Sequence, residues 1–128
     1  MRILLVDDKA SMRSAMKKIL NQLGFHDITQ AIDGEEAWSK IKDVLYNDPD
    51  QLFDLIVSDM EMPRMSGLEL LRAIRNSEDI KEIPFIMATT ITAKQIILET
   101  MRLGVQAYII KPFDYPMVEF KLKQAGIL

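Results

Sequence analysis

The stretch Ile3-Leu4-Leu5-Val6-Asp7-Asp8, followed by a stripe of Met12, Ala15, Met16, Ile19, Leu20 and Leu23, decides the fold. A short unbroken run of branched apolar residues reads as a strand buried on both faces, the habit of parallel sheets. The stripe recurs at helical spacing, so Ser11 to Leu23 reads as an amphipathic helix that starts near Ser11 and stops at Gly24. Two acids sit in the turn between strand and helix.

The same alternation continues to the last residue. Ile28 to Ile32 is a second strand, and Asp33-Gly34-Glu35-Glu36 opens a helix with an acidic first turn and a stripe of Ala37, Trp38, Ile41 and Leu45. Asn47-Asp48-Pro49-Asp50 breaks that helix. Leu55 to Ser58 is a third strand leading into Asp59, and Ser66 with Glu69 has capping-box spacing before a helix with Leu70, Leu71 and Ile74 inward. Phe85 to Ala88 follows Pro84 as a fourth strand; Thr92 and Gln95 predict a second capping box, for a helix running to Leu103 and stopping at Gly104. Ala107 to Ile110 and a short helix over Pro116 to Ala125, before Gly126, complete the set. Each helix is the crossover that returns the chain to start another parallel strand, and right-handed crossovers place helices on both faces. The prediction is an α/β fold, a doubly wound (βα)5 parallel sheet of order 2-1-3-4-5, as one domain over residues 1–128.

Composition agrees with a single core and narrows the chemistry. With 128 residues, 48% hydrophobic and 27% charged, the chain is of ordinary globular make-up. A net charge of −3 supplies no basic field, so neither nucleic acid nor an anionic membrane is expected as a direct partner. The absence of cysteine excludes disulfides, iron–sulfur clusters and thiol catalysis, and a single histidine, His26, excludes a multi-histidine metal site. The apolar run Ile3 to Val6 ends too soon for a secretory signal, and no apolar stretch approaches the ~20 residues of a membrane span, so a cytoplasmic protein is expected.

In such a fold the loops after the strands share one edge, where ligands bind. Those loops carry Asp7 and Asp8 after strand 1, Asp59 after strand 3, Thr89 and Thr90 after strand 4, and Lys111 after strand 5. A lone Asp after a strand is often only a helix N-cap. Three converging carboxylates and one ammonium, however, leave about two uncompensated negative charges, which a half-buried cleft tolerates poorly without a cation. Oxygen donors without His or Cys point to Mg²⁺, with Ca²⁺ or Mn²⁺ as other occupants. A phosphate completes such a site: Lys111 offers it a positive charge, Thr89 a hydroxyl, and Asp59 a carboxylate able to attack phosphorus.

With these residues assembled, the chain resembles the receiver domains of two-component response regulators, whose fold has the order found in flavodoxin and CheY. The matching segments are Leu5-Val6-Asp7-Asp8, Asp59-Met60-Glu61-Met62-Pro63-Arg64-Met65-Ser66-Gly67, Thr89, and Tyr108-Ile109-Ile110-Lys111-Pro112-Phe113. The resemblance implies that Asp59 is the phosphoacceptor, served by a histidine kinase, a phosphotransfer protein or a small acyl phosphate. It implies Mg²⁺ held by Asp8, Asp59 and the Glu61 backbone carbonyl, with Asp7 acting through water. Lys111 corresponds to the phosphate-contacting lysine, ahead of a cis peptide to Pro112, and Thr89 and Tyr108 to the switch pair. It further implies a switch that catalyses only its own phosphotransfer and dephosphorylation. The output would be a changed affinity for a downstream protein on the helix 4, strand 5, helix 5 face, in chemotaxis or a phosphorelay. Because five units use up the chain, a stand-alone receiver without an output domain is expected.

Two departures bear on rate: Thr90 replaces the usual Ala or Gly and is expected to narrow access to Asp59, and Glu61 adds charge near an attacking water. A Mg²⁺-dependent phosphatase with an aspartyl-phosphate intermediate uses similar groups, but usually spaces its paired acids as Asp-x-Asp. A flavodoxin would place its cofactor phosphate against Asp7-Asp8-Lys9, which repels it. A degenerate receiver serving only as an interaction module is the remaining alternative, opposed by retention of the acids and Lys111. His26 lies on the opposite edge, so a phosphohistidine must belong to a partner. The fourth helix spreads Ile96, Ile97, Leu98, Met101 and Leu103 widely, and Phe120 points off the stripe of helix 5; these groups are either covered by neighbours or part of a docking face.

Overall fold

The computed structural model describes residues 1–128. Its strands are β1 (Arg2–Val6), β2 (Asp27–Ala31), β3 (Leu55–Ser58), β4 (Phe85–Thr89) and β5 (Ala107–Ile110). Its α-helices are α1 (Ala10–Gln22), α2 (Gly34–Asn47), α3 (Gly67–Arg75), α4 (Lys94–Arg102) and α5 (Tyr115–Gln124), with a single 3-10 turn at Pro49–Gln51. All pairings are parallel, and the order is β2-β1-β3-β4-β5, as expected from the alternation.

Strand side chains alternate between two layers, as a pleat of period two requires. Ile3, Leu5, Leu55, Val57, Ile86, Ala88 and Ile109 pack with Met16, Ile19 and Leu20 of α1 and Val118 and Leu122 of α5. Leu4, Val6, Ile56, Phe85 and Met87 face the other way, onto Ala37 and Ile41 of α2 and Leu70, Leu71 and Ile74 of α3. Both faces are therefore covered, which is why β1, β3 and β4 read as unbroken apolar runs.

Two helix starts differ from expectation. Ser11 lies inside α1, whose N-cap is Lys9 with no side-chain cap; the turn is closed instead by Asp7, whose Oδ1 accepts the Lys9 N–H at 2.9 Å. The Thr92–Gln95 capping box does not form either: α4 begins after Ala93, again without a side-chain cap. Its phase is set by Ile91 and Ile96 packing on the α2–α3 layer, with the Ile91 carbonyl accepting from the Tyr108 hydroxyl at 2.8 Å. α2 opens at Asp33-Gly34-Glu35-Glu36 as predicted, with Asp33 as its N-cap, and the Ser66–Glu69 box of α3 forms as predicted. Asp114, not singled out in the sequence, caps α5 by accepting the Met117 N–H at 3.0 Å.

The least anchored helix is α4, whose one buried residue is Thr100. Two arginines of α3 secure it. Arg72 pairs with Glu99 at the surface, and Arg75 donates to Leu103 O (2.7 Å) and Gly104 O (3.1 Å), the orphan carbonyls at the end of α4, and to Lys81 O (2.9 Å) and Ile83 O (2.8 Å). Burial lowers the Arg75 pKa, yet these acceptors hold the guanidinium in place. Arg75→Met strands the partly buried carbonyls of Leu103 and Ile83 and is expected to cost about 2–3 kcal/mol. Arg72→Met, at an exposed pair, is expected to cost less than about 1 kcal/mol. Urea midpoints measure both, and equal losses would contradict the clasp.

Candidate functional site

The sheet register assembles the charged groups. Val6 pairs with Ser58, and the ladder extends one step further because Asp59 N donates to Val6 O (2.9 Å) and Asp7 N to Ala31 O (3.1 Å). Asp7 and Asp59 thus leave adjacent strands side by side, both buried, while Asp8 is exposed. Carboxylate oxygens of Asp7, Asp8 and Asp59 lie within 4.8 Å of one another. Lys111 arrives from the end of β5, its N–H held by Thr89 O at 2.9 Å and its peptide to Pro112 cis, as the resemblance implied. Its Nζ stands 2.7 Å from Asp7 Oδ2 and 3.3 Å from Asp59 Oδ2, with the lysine side chain only 7% exposed.

Each buried acid uses its oxygens differently. Asp7 Oδ1 accepts from Lys9 N and Asp59 Oδ1 from Met60 N (2.7 Å), while both Oδ2 atoms turn to Lys111. The acids outnumber the ammonium, and the surplus lies toward Asp8, which with Met60, Glu61, Met62 and Pro63 borders an open groove of about 540 Å³. Clustered hard oxygens without His or Cys suit Mg²⁺, a small dication that binds through one or two carboxylates and keeps several waters. The donor set therefore fits the Mg²⁺ that the resemblance implied.

Thr89 is fully buried at the end of β4, its hydroxyl 3.4 Å from the Ile91 N–H. Tyr108 lies in the same layer, and its pKa is raised by burial and by the negative charge of Asp59. Thr90 and the Glu61 side chain are exposed. His26 is exposed at the start of β2, on the edge opposite the acids. The broad apolar surface of α4 divides: Ile96 and Leu103 pack on the core, whereas Leu98 and Met101 are exposed, as are Ile110 of β5 and Met117 and Phe120 of α5.

Three supports were missed in the sequence. Arg13 donates to Asp7 O (2.8 Å) and Gln30 Oε1 (3.0 Å), bracing the first acid against β2. The buried Ser58 hydroxyl donates to Asp59 O at 2.8 Å. Arg64 pairs with Asp33, through its Nε at 2.9 Å and its Nη2. Desolvation pushes the Asp33 carboxyl up, but hydrogen bonds from Glu36 N and Arg64 outweigh it and hold the group below the usual carboxylate value.

Comparison with known proteins agrees with this geometry. The model of the response regulator receiver domain matches residues 3–122. The chain belongs to the receiver family. Among its relatives, this receiver is 37% identical over 123 residues to chemotaxis protein CheY1 of Helicobacter pylori, covering 96% of this chain and 94% of that one. It is 36% identical over 124 residues to chemotaxis protein CheY of Pseudomonas aeruginosa, covering 97% and 94%. Among solved structures it superposes on the chemotaxis response regulator CheY4 of Vibrio cholerae with a TM-score of 0.80 at 30% identity, covering 97% of both chains. Receivers of this kind are signalling switches of two-component systems. No helix of this receiver is long and apolar enough to cross a membrane.

Proposed function

We propose that residues 1–128 form one receiver domain that accepts a phosphoryl group on Asp59 and thereby changes its affinity for another protein. The observation that carries the reading is the Asp59 carboxylate itself: Oδ1 is tied to the Met60 N–H, and Oδ2 is directed at Lys111 beside two further acids. Asp59 Oδ2 attacks phosphorus of a phosphohistidine; the P–N bond breaks, its electron pair stays on the imidazole nitrogen, which takes a proton from solvent, and an acyl phosphate forms. Lys111 shifts its ammonium from the carboxylates to the incoming phosphoryl oxygens. Asp8, Asp59 and the Glu61 carbonyl would hold Mg²⁺, with Asp7 reaching it through water. The bound ion would supply positive charge to the phosphoryl oxygens.

The histidine belongs to a kinase or phosphotransfer partner, since His26 sits at the far edge. Thr89, at the end of β4, would turn its hydroxyl to the phosphoryl group, and Tyr108 would follow into the space it leaves, repacking the α4–β5–α5 face. The exposed Leu98, Met101, Ile110 and Phe120 suit that face to a downstream protein. The names of its relatives support chemotaxis as the pathway, and exchange with a histidine kinase would place the protein in the cytoplasm.

Incubation with acetyl phosphate tests the reading. One phosphoryl group per chain is expected, in Mg²⁺ but not in EDTA, and it should be released by hydroxylamine as an acyl phosphate is. Absence of label, or steady multiple-turnover hydrolysis of phosphorylated metabolites, would overturn it in favour of an interaction module or a phosphatase.

A further inference from the structure

One non-glycine residue of the chain has a left-handed backbone: Arg64, with φ of +68°. For a residue with a Cβ this conformation is strained, so it persists only where surrounding contacts fix it. Arg64 lies in the β3–α3 loop, which also carries Glu61. The contacts that fix it come from the start of α2. Asp33 is 1% exposed and divides its oxygens: Oδ1 caps α2 by accepting from Glu36 N at 2.7 Å, and Oδ2 accepts from the Arg64 guanidinium. Next to it, Gly34 N donates to Met65 O at 3.1 Å, in an approach so close that a Cβ on Gly34 would collide with Met65.

The loop is thus strung between two fixed ends. At one end Asp59 N is held by Val6 O, and Gly67 N closes back on Met60 O at 2.9 Å; at the other, Arg64 and Met65 are seated on α2. Between them run Glu61, Met62 and Pro63, which border the groove beside Asp8. Capping of α2 needs only Asp33 Oδ1. The second oxygen, with the strained backbone that reaches it, serves the loop.

We propose that Arg64, paired with Asp33, is a positioning residue that seats the β3–α3 loop so that the Glu61 carbonyl is in place for the dication. The inference rests on the phosphoacceptor reading given above, and α2 acts here as the floor of the site. A partner of this kind, one step out from a metal ligand, typically controls 10- to 100-fold in metal affinity.

Mg²⁺ titration of the full chain by calorimetry, without any phosphodonor, tests it. Arg64→Gly keeps the left-handed backbone without strain and removes the pair; relief of the strain offsets part of the cost of leaving Asp33 Oδ2 unpaired, so the chain stays folded with a small fall in thermal midpoint. Mg²⁺ binding is expected to weaken about tenfold. Asp33→Asn, which still caps α2, is expected to weaken it likewise, and Arg64→Lys, with one point donor in place of two, less. Labelling of Arg64→Gly by acetyl phosphate should need proportionally more Mg²⁺ but reach the wild-type rate at saturation. A Mg²⁺ affinity for Arg64→Gly within about twofold of wild type would overturn the inference alone, the wild type still binding Mg²⁺ and taking label. A wild type that neither binds Mg²⁺ nor takes label would overturn both the reading and the inference.

Discussion

Lys111→Met should lose about 3 kcal/mol of stability in EDTA and take label from acetyl phosphate about 100-fold more slowly than wild type. The first effect follows from burial. The ammonium is the one cation against Asp7 and Asp59, and both carboxylates are nearly as buried as it is. Removing one partner of a buried pair leaves its charge unmatched, at a cost of about 3–5 kcal/mol; here three acids cluster, but Asp8 is open to water, so the lower figure applies. Added Mg²⁺ should return part of the loss, because a dication at about 100 times its dissociation constant stabilises the folded state by about 2.7 kcal/mol. The second effect follows from position. Lys111 Nζ is 3.3 Å from Asp59 Oδ2, the proposed nucleophile, and a single missing donor at developing charge typically costs 10²–10³ in rate. Urea unfolding with and without Mg²⁺, paired with labelling kinetics, separates the two. A variant as stable as wild type in EDTA would show that the lysine does not balance the acids.

Gly67→Ala reverses the sign that helix propensity alone would give. Gly67 opens α3 directly after the Ser66 cap, and alanine, the better helix former, would by itself be neutral to slightly stabilising there. Here a Cβ would overlap the carbonyl oxygen of Asp59 and crowd the Met60 Cα, at 3.0 Å, and both are backbone atoms that cannot rotate aside. The end of β3 and the start of α3 would have to part, breaking the Gly67 N to Met60 O bond. The expected result is a loss of at least about 3 kcal/mol, the upper range for overpacking, with weaker Mg²⁺ binding because Asp59 itself is displaced. Denaturant midpoints measure the first and calorimetry the second. A neutral or stabilised variant would contradict the close approach of helix and acid.

Much of this was legible in the chain, for identifiable reasons. β1, β3 and β4 are covered on both faces, so their sequences are continuous apolar runs with no competing helical reading. Asp7, Asp59 and Lys111 could be brought together on paper because the parallel topology alone sends the end of every strand to one edge. Caps were legible where local spacing and tertiary phase agree, as at Asp33 and Ser66. Thr92–Gln95 has the right spacing and fails, since the phase of α4 is decided by Ile91 and Ile96 against the sheet layer and by Tyr108 holding the Ile91 carbonyl. Arg13, Arg64 and Arg75 were beyond reach for another reason. Each is a long polar side chain whose partner comes from a different element, and neither periodicity nor a short motif encodes that pairing. The division of the α4 surface into packed Ile96 and exposed Leu98 and Met101 likewise depends on where the helix sits, which its own composition does not state.

The central claim is that Asp59 is the atom-level acceptor. Its most direct test is peptide mass spectrometry of the chain after acetyl phosphate and Mg²⁺, with borohydride reduction to mark the acyl phosphate, run beside Asp59→Asn. The account predicts modification of wild-type Asp59 alone and an unmodified variant. Label that persists in Asp59→Asn at wild-type extent, or that maps to Asp7, Asp8 or Glu61 in the wild type, would contradict it.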